Sequence, residues 1–83
     1  MLKPLRDELA RLEGELARLG DERSALEALL ADAAVYQPEA KDRLEALLID
    51  RGRLEHSMAQ TEAQWLSASE HLERAAREAD EEP

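Results

Sequence analysis

Few side chains in this chain are of the kinds that do chemistry. Asp32, Glu39 and Asp42 cluster within "ALLADAAVYQPEAKD", residues 28–42. Acidic groups at the tip of a helical arm can chelate Mg²⁺ inside another enzyme's channel. These three are loosely spaced, and Glu39 sits where a carboxylate favours the positive end of a helix, so no metal site is expected. His56 and His71 are fifteen residues apart. A metal pair on one helix face wants i, i+4 or a Glu-x-x-His spacing, so both are read as solvated. Cysteine is absent, which removes thiol chemistry and any disulfide framework. No nucleophile–base pair and no Gly-rich phosphate loop occurs. No catalytic, cofactor-binding or metal residue is therefore assigned, and the chain is not expected to be an enzyme.

The remaining candidates are basic. Arg11 and Arg18 are seven residues apart, and Arg53 and Arg74 are twenty-one apart. On a heptad helix each pair shares position c, so each could form a phosphate-contacting stripe. Both stripes are interleaved with Glu, which equally describes an ordinary solvated face. The balance of charge disfavours nucleic acid. Residues 1–33 carry five basic and eight acidic side chains, residues 34–83 carry six and twelve, and the net charge is −9. Such a surface repels a phosphate backbone.

Those residues are positioned by two long helices. Leu2, Leu5, Leu9, Leu12, Leu16 and Leu19 follow one another at alternating spacings of three and four, and the series runs on through Arg23, Leu26 and Leu30 to Ala33. That is an a/d heptad repeat. Pro4 suits a first helical turn, where the missing N–H costs nothing. Gly14 and Gly20 fall off the apolar stripe and weaken the helix, by about 1 kcal/mol each against Ala. The pattern stops after Ala33. Pro38 keeps Gln37 out of the α region and opens a second helix. Its stripe is Ala40, Leu44, Leu47, Arg51, Leu54, Met58, Thr61, Trp65, Ala68, Leu72, Ala75 and Ala79.

The expected fold is all-α: one domain over residues 1–83, a two-helix antiparallel coiled-coil hairpin. Helix 1 is expected over about 4–33, a turn over about 34–37, helix 2 over about 38–79 and a fraying acidic tail over 80–83. Across the apolar stripe, Leu30 would face Leu47, Leu26 Arg51, Arg23 Leu54, Leu16 Thr61 and Leu12 Trp65. Arg23 and Arg51 stand where Leu is expected, as polar residues that fix register, each reaching acidic residues at the rim of the opposite helix. Trp65 is read as the stripe's aromatic core residue, and Val35 and Tyr36 as the cap of the turn or a contact tip. The second helix is longer and would overhang, as in a piece of a larger protein. Leu48, Ile49 and Leu66 offer a route to dimers, although a monomer is expected. No apolar run approaches the roughly 20 residues that cross a bilayer and no leader is visible, so the expected location is the cytoplasm, with no membrane partner.

Three segments carry a family resemblance: "KPLRDELARLEGELARL" at 3–19, "ALLADAAVYQPEAKD" at 28–42 and "EAQWLSASEHLER" at 62–74. Together they resemble the C-terminal coiled-coil domain of ABC-F ATP-binding-cassette proteins. The nearer likeness is to members whose hairpin carries a Leu-Tyr turn and a Trp-Leu in its second helix. Here those pairs are Val35-Tyr36 and Trp65-Leu66. The resemblance implies a parent with two ATPase cassettes, using ATP and Mg²⁺, and acting mostly in translation at the ribosome. It implies that this chain is a non-catalytic accessory domain that needs no cofactor of its own, with the cassettes in cis and ribosomal protein or RNA as partners. Some members' hairpins have been linked to DNA. None of the cassette's ATP-binding motifs is present here. A DNA- or RNA-binding module and a purely structural clamp or dimerisation element stand as alternatives.

Overall fold

The computed structural model describes residues 2–81. Every regular element among them is helical: α1 over Lys3–Leu30, a 3-10 turn over Ala33–Tyr36, a second 3-10 turn over Pro38–Ala40, and α2 over Lys41–Glu81. Both long helices are rich in Ala, Leu, Glu and Arg, which lose little rotamer freedom in a helix. Pro4 lies in the first turn of α1, and Leu2 supplies no side-chain cap there.

α1 ends at Leu30, three residues before the expected Ala33. The reason is local hydrogen bonding. Asp32 adopts an extended backbone, and its Oδ1 accepts the Ala34 N–H at 2.9 Å. An Asp side chain that bonds the backbone two residues on offers the chain an alternative to continuing the helix. The ten residues from Ala31 to Ala40 therefore form two short turns rather than the four-residue turn expected. Gln37 is extended at ψ 149°, as a residue before proline must be. At the other end α2 continues through Asp80 to Glu81, into the segment expected to fray. Glu82 and Pro83 of that expected tail lie outside the described residues.

The exposed carbonyls at the end of α1 find partners. The Ala31 N–H donates to Glu27 O at 2.9 Å and the Asp32 N–H to Leu29 O at 3.3 Å. The Tyr36 hydroxyl donates to Leu30 O at 2.6 Å. A helix terminus leaves four carbonyls without intrahelical partners, and Tyr36 satisfies one of them from outside the helix.

α1 and α2 contact one another, and α2 also touches both connecting turns. Leu26, Leu30, Val35 and Leu47 form a buried cluster, with Leu44 and Leu54 packed against it. Further along, Leu16 shares a groove with Trp65, and Leu5 shares one with His71 and Ala75. As residue numbers fall along α1, those of their neighbours on α2 rise. The described chain is extended, 70 × 15 × 15 Å, with a radius of gyration of 19.1 Å. A compact domain of this length would have about 12 Å. α2 has 41 residues against 28 in α1. The surplus is taken up partly under the connection, where Val35 packs near Leu44 and Leu47. At the other end Leu5 lies near Glu78, close to the end of α2.

Candidate functional site

The two residues of the expected tip separate. Val35 is 4% exposed and belongs to the core cluster; Tyr36 is 60% exposed and is held by its bond to Leu30 O. Val35 thus closes the packing, while the Tyr36 ring stays largely exposed with its hydroxyl held. The nearby carboxylates have local tasks. Asp32 caps the first 3-10 turn, Glu39 lies in the first turn of the second, and Asp42 in the first turn of α2. No group of three or more acidic or His side chains among the described residues is placed to hold a metal ion. His56 and His71 are both exposed.

The arginine stripe of α1 is engaged with its own helix. Arg11 donates to both Glu8 oxygens, at 3.0 Å through Nε and 2.6 Å through Nη2. Arg18 donates to Glu15 through Nε and Nη2 and to Glu22 through Nη1. The Arg11 hydrogen bonds hold the Glu8 carboxyl below the usual carboxylate range, and those from Arg18 do the same for Glu15. The same contacts raise both guanidinium pKa values. Much of each guanidinium's charge is thus already paired with carboxylate on its own helix, which weakens its pull on a phosphate. On α2, Arg53 and Arg74 are exposed and have no acidic oxygen within 4.0 Å among the described residues. Arg53 nonetheless shares a groove with Asp50 and Glu22, and Arg74 one with Glu78.

Arg23 and Arg51 are both exposed. Each lies nearest to the Glu one turn further along its own helix: Arg23 Nε is 3.8 Å from Glu27 and Arg51 Nε 4.0 Å from Glu55. The expected reach across to the opposite helix is replaced by these i, i+4 pairs. They need no second side chain to be ordered across the interface, but exposed pairs of this kind stabilise little.

No protein-family model, curated protein or solved structure matches this chain. The site is therefore read from its geometry alone.

Trp65 is half-buried in a groove shared with Leu16, and its indole Nε1 is buried without a hydrogen-bond partner. Glu13 and Glu62 line the same groove. Neither has a basic group within 4.0 Å among the described residues, whereas Asp7, Glu8, Glu15, Glu22, Glu27 and Glu55 all do. The heptad singled out Trp65 but not these two flanking carboxylates. They stand at position e, beside the stripe, and that position carried the missing signal. Thr61, next to the groove, is 8% exposed and keeps its hydroxyl bonded to Ser57 O at 2.9 Å.

Among the described residues no helix is long and apolar enough to cross a membrane.

Proposed function

We propose that the chain is a two-helix antiparallel coiled-coil hairpin. In this reading it serves as a non-catalytic accessory domain of a cytoplasmic ABC-F-like ATPase, and it extends or positions that ATPase against the ribosome. ATP and Mg²⁺ would belong to the parent's cassettes. The observation that carries the mechanical part is the sequence of facing residues: Leu26 with Leu47 near the connection, Leu16 with Trp65 midway and Leu5 with Ala75 at the far end, in a rod 70 Å long. Two apolar stripes sharing one interface stiffen each other, and a stiff rod transmits position over its length. The three segments resembling ABC-F hairpins supply the choice of parent.

The test is co-sedimentation with ribosomes, for the isolated chain and for the parent with and without these residues. Deletion is expected to reduce association of the parent. Unchanged association sinks the proposal.

A nucleic-acid module is the weaker reading. Two of its four candidate contacts, Arg11 and Arg18, are bound to carboxylates, and the net charge is −9. Fluorescence anisotropy against labelled duplex DNA and structured RNA is expected to show no binding at physiological salt. Binding that survives there would make the arginines a true phosphate-tracking face.

A further inference from the structure

The apolar stripe is not closed equally on its two sides. At the d positions of both helices, Leu12, Leu19, Leu26, Leu47 and Thr61 are buried, while Leu5, Leu54, Ala68 and Ala75 are half-buried. At the a positions Leu30 is buried beside the connection, but along the rest of the rod Leu9, Leu16, Leu44, Met58, Trp65 and Leu72 are only half-buried, and Arg23 and Arg51 are exposed. Leu16 and Trp65 open into the groove whose rim is formed by Glu13 and Glu62. The chain exposes 6328 Å². A compact monomer of its 9.3 kDa mass exposes about 5,000 Å². The surplus is spread along a rod 70 Å long.

Charge decides what fits. A second copy would bring its own −9 and would set Glu13 and Glu62 against further acidic residues. We infer that the groove along Leu16 and Trp65 docks a basic amphipathic helix from another protein, completing a three-helix layer. Its apolar face would cover the open a positions, and its Lys or Arg side chains would pair with Glu13 and Glu62. An amphipathic helix laid in an apolar groove is an established way for helices to recognise one another, and a cation placed over the indole face gains further attraction. The inference rests on reading the helix pair as a protein-contacting arm, but it specifies one face of that arm and the sign of the partner.

Trp65 is the chain's single tryptophan, so its emission reports on this groove alone. The full chain would be titrated with a three-heptad peptide of Ala, Leu and Lys, and with the same peptide carrying Glu in place of Lys. The Lys peptide is expected to shift Trp65 emission to the blue, saturably and more weakly as salt rises; the Glu peptide is expected to leave it unchanged. The double variant Glu13→Gln with Glu62→Gln is expected to weaken the binding about fivefold, as for two modest ion pairs. A charge-matched control, Glu45→Gln with Glu73→Gln, changes exposed positions off the groove and is expected to weaken it less than twofold. Circular dichroism confirms that both variants stay helical. Three results would overturn the inference: no shift with the Lys peptide, an equal loss in both double variants, or a shift produced by raising the chain's own concentration. The last would assign the groove to a second copy. None of the three depends on the ribosome, so this inference and the proposed function can fail separately.

Discussion

At the connected end of the molecule Leu26, Leu30, Val35 and Leu47 close into one buried cluster. Leu2, Leu5, Leu9, Leu72 and Ala75, at the far end, remain half-buried on the same heptad stripe. The two ends differ in what lies over the interface. Two helices have only each other to pack against, so their contact is a line with open edges. Between the two helices, the connection adds a third surface. Val35 drops into the interface and Tyr36 ties the connection to the last carbonyl of α1. Along the middle the two helices alone bury Leu12 and Leu19 but leave Leu16 and Trp65 half-buried beside them; the connection closes one end, and under the inference above a partner closes that open side.

The largest expected effect sharpens that contrast directly. Leu30→Ala removes a side chain 8% exposed in the closed cluster and is expected to cost about 3 kcal/mol in urea denaturation. Leu9→Ala, half-buried toward the open end, is expected to cost distinctly less. Equal losses would mean that the ends are closed alike. The connection itself comes next. Tyr36→Phe keeps the ring and removes the hydroxyl bond to Leu30 O, and is expected to cost about 1 kcal/mol. Asp32→Ala removes the cap on Ala34, with a similar expected loss. Hydrogen exchange in either variant is expected to quicken around Leu26–Leu30 before it does around Leu5–Leu9. The helices' own weak points have the opposite sign. A Cβ added at Gly14 or Gly52 meets nothing within 4 Å, so Gly14→Ala and Gly52→Ala are each expected to raise stability by about 0.8 kcal/mol.

The smallest effect is electrostatic. The Glu8 and Glu15 carboxyls are held below their ordinary range by Arg11 and Arg18. A depressed carboxylate pKa contributes stability above its unfolded value, and that contribution fades as pH falls through the folded one. The double variant Glu8→Gln with Glu15→Gln is therefore expected to melt slightly below the parent at pH 7. The difference should vanish only once the pH falls below the lowered values of these two carboxyls, where both chains are neutral at these sites. A gap that persists in acid would point to packing rather than charge.

Much of the helical content was legible from the spacing of Leu, and Pro38 marked where the second helical run begins. The exact end of α1 was not. Ala31 to Ala34 read as helix by composition, yet one carboxylate hydrogen bond from Asp32 outweighs their propensity. The tie from Tyr36 to Leu30 was hidden for a different reason. It joins residues six apart through a turn whose shape no periodic rule describes. At Arg23 and Arg51 the sequence offered carboxylates on both helices, and only geometry distinguishes the partner within reach. The half-burial of Leu16 and Trp65 beside buried Leu12 and Leu19 was equally out of view, because a heptad places a and d on the stripe without fixing how the helices roll about it.

The central claim is that the two helices lie side by side as a single hairpin. Small-angle scattering with an in-line mass measurement tests it most directly. The account predicts a species of 9.3 kDa with a radius of gyration near 19.1 Å. An opened chain running as one straight helix would give about 36 Å. A radius above roughly 30 Å, well clear of the compact-domain scale, would contradict the hairpin.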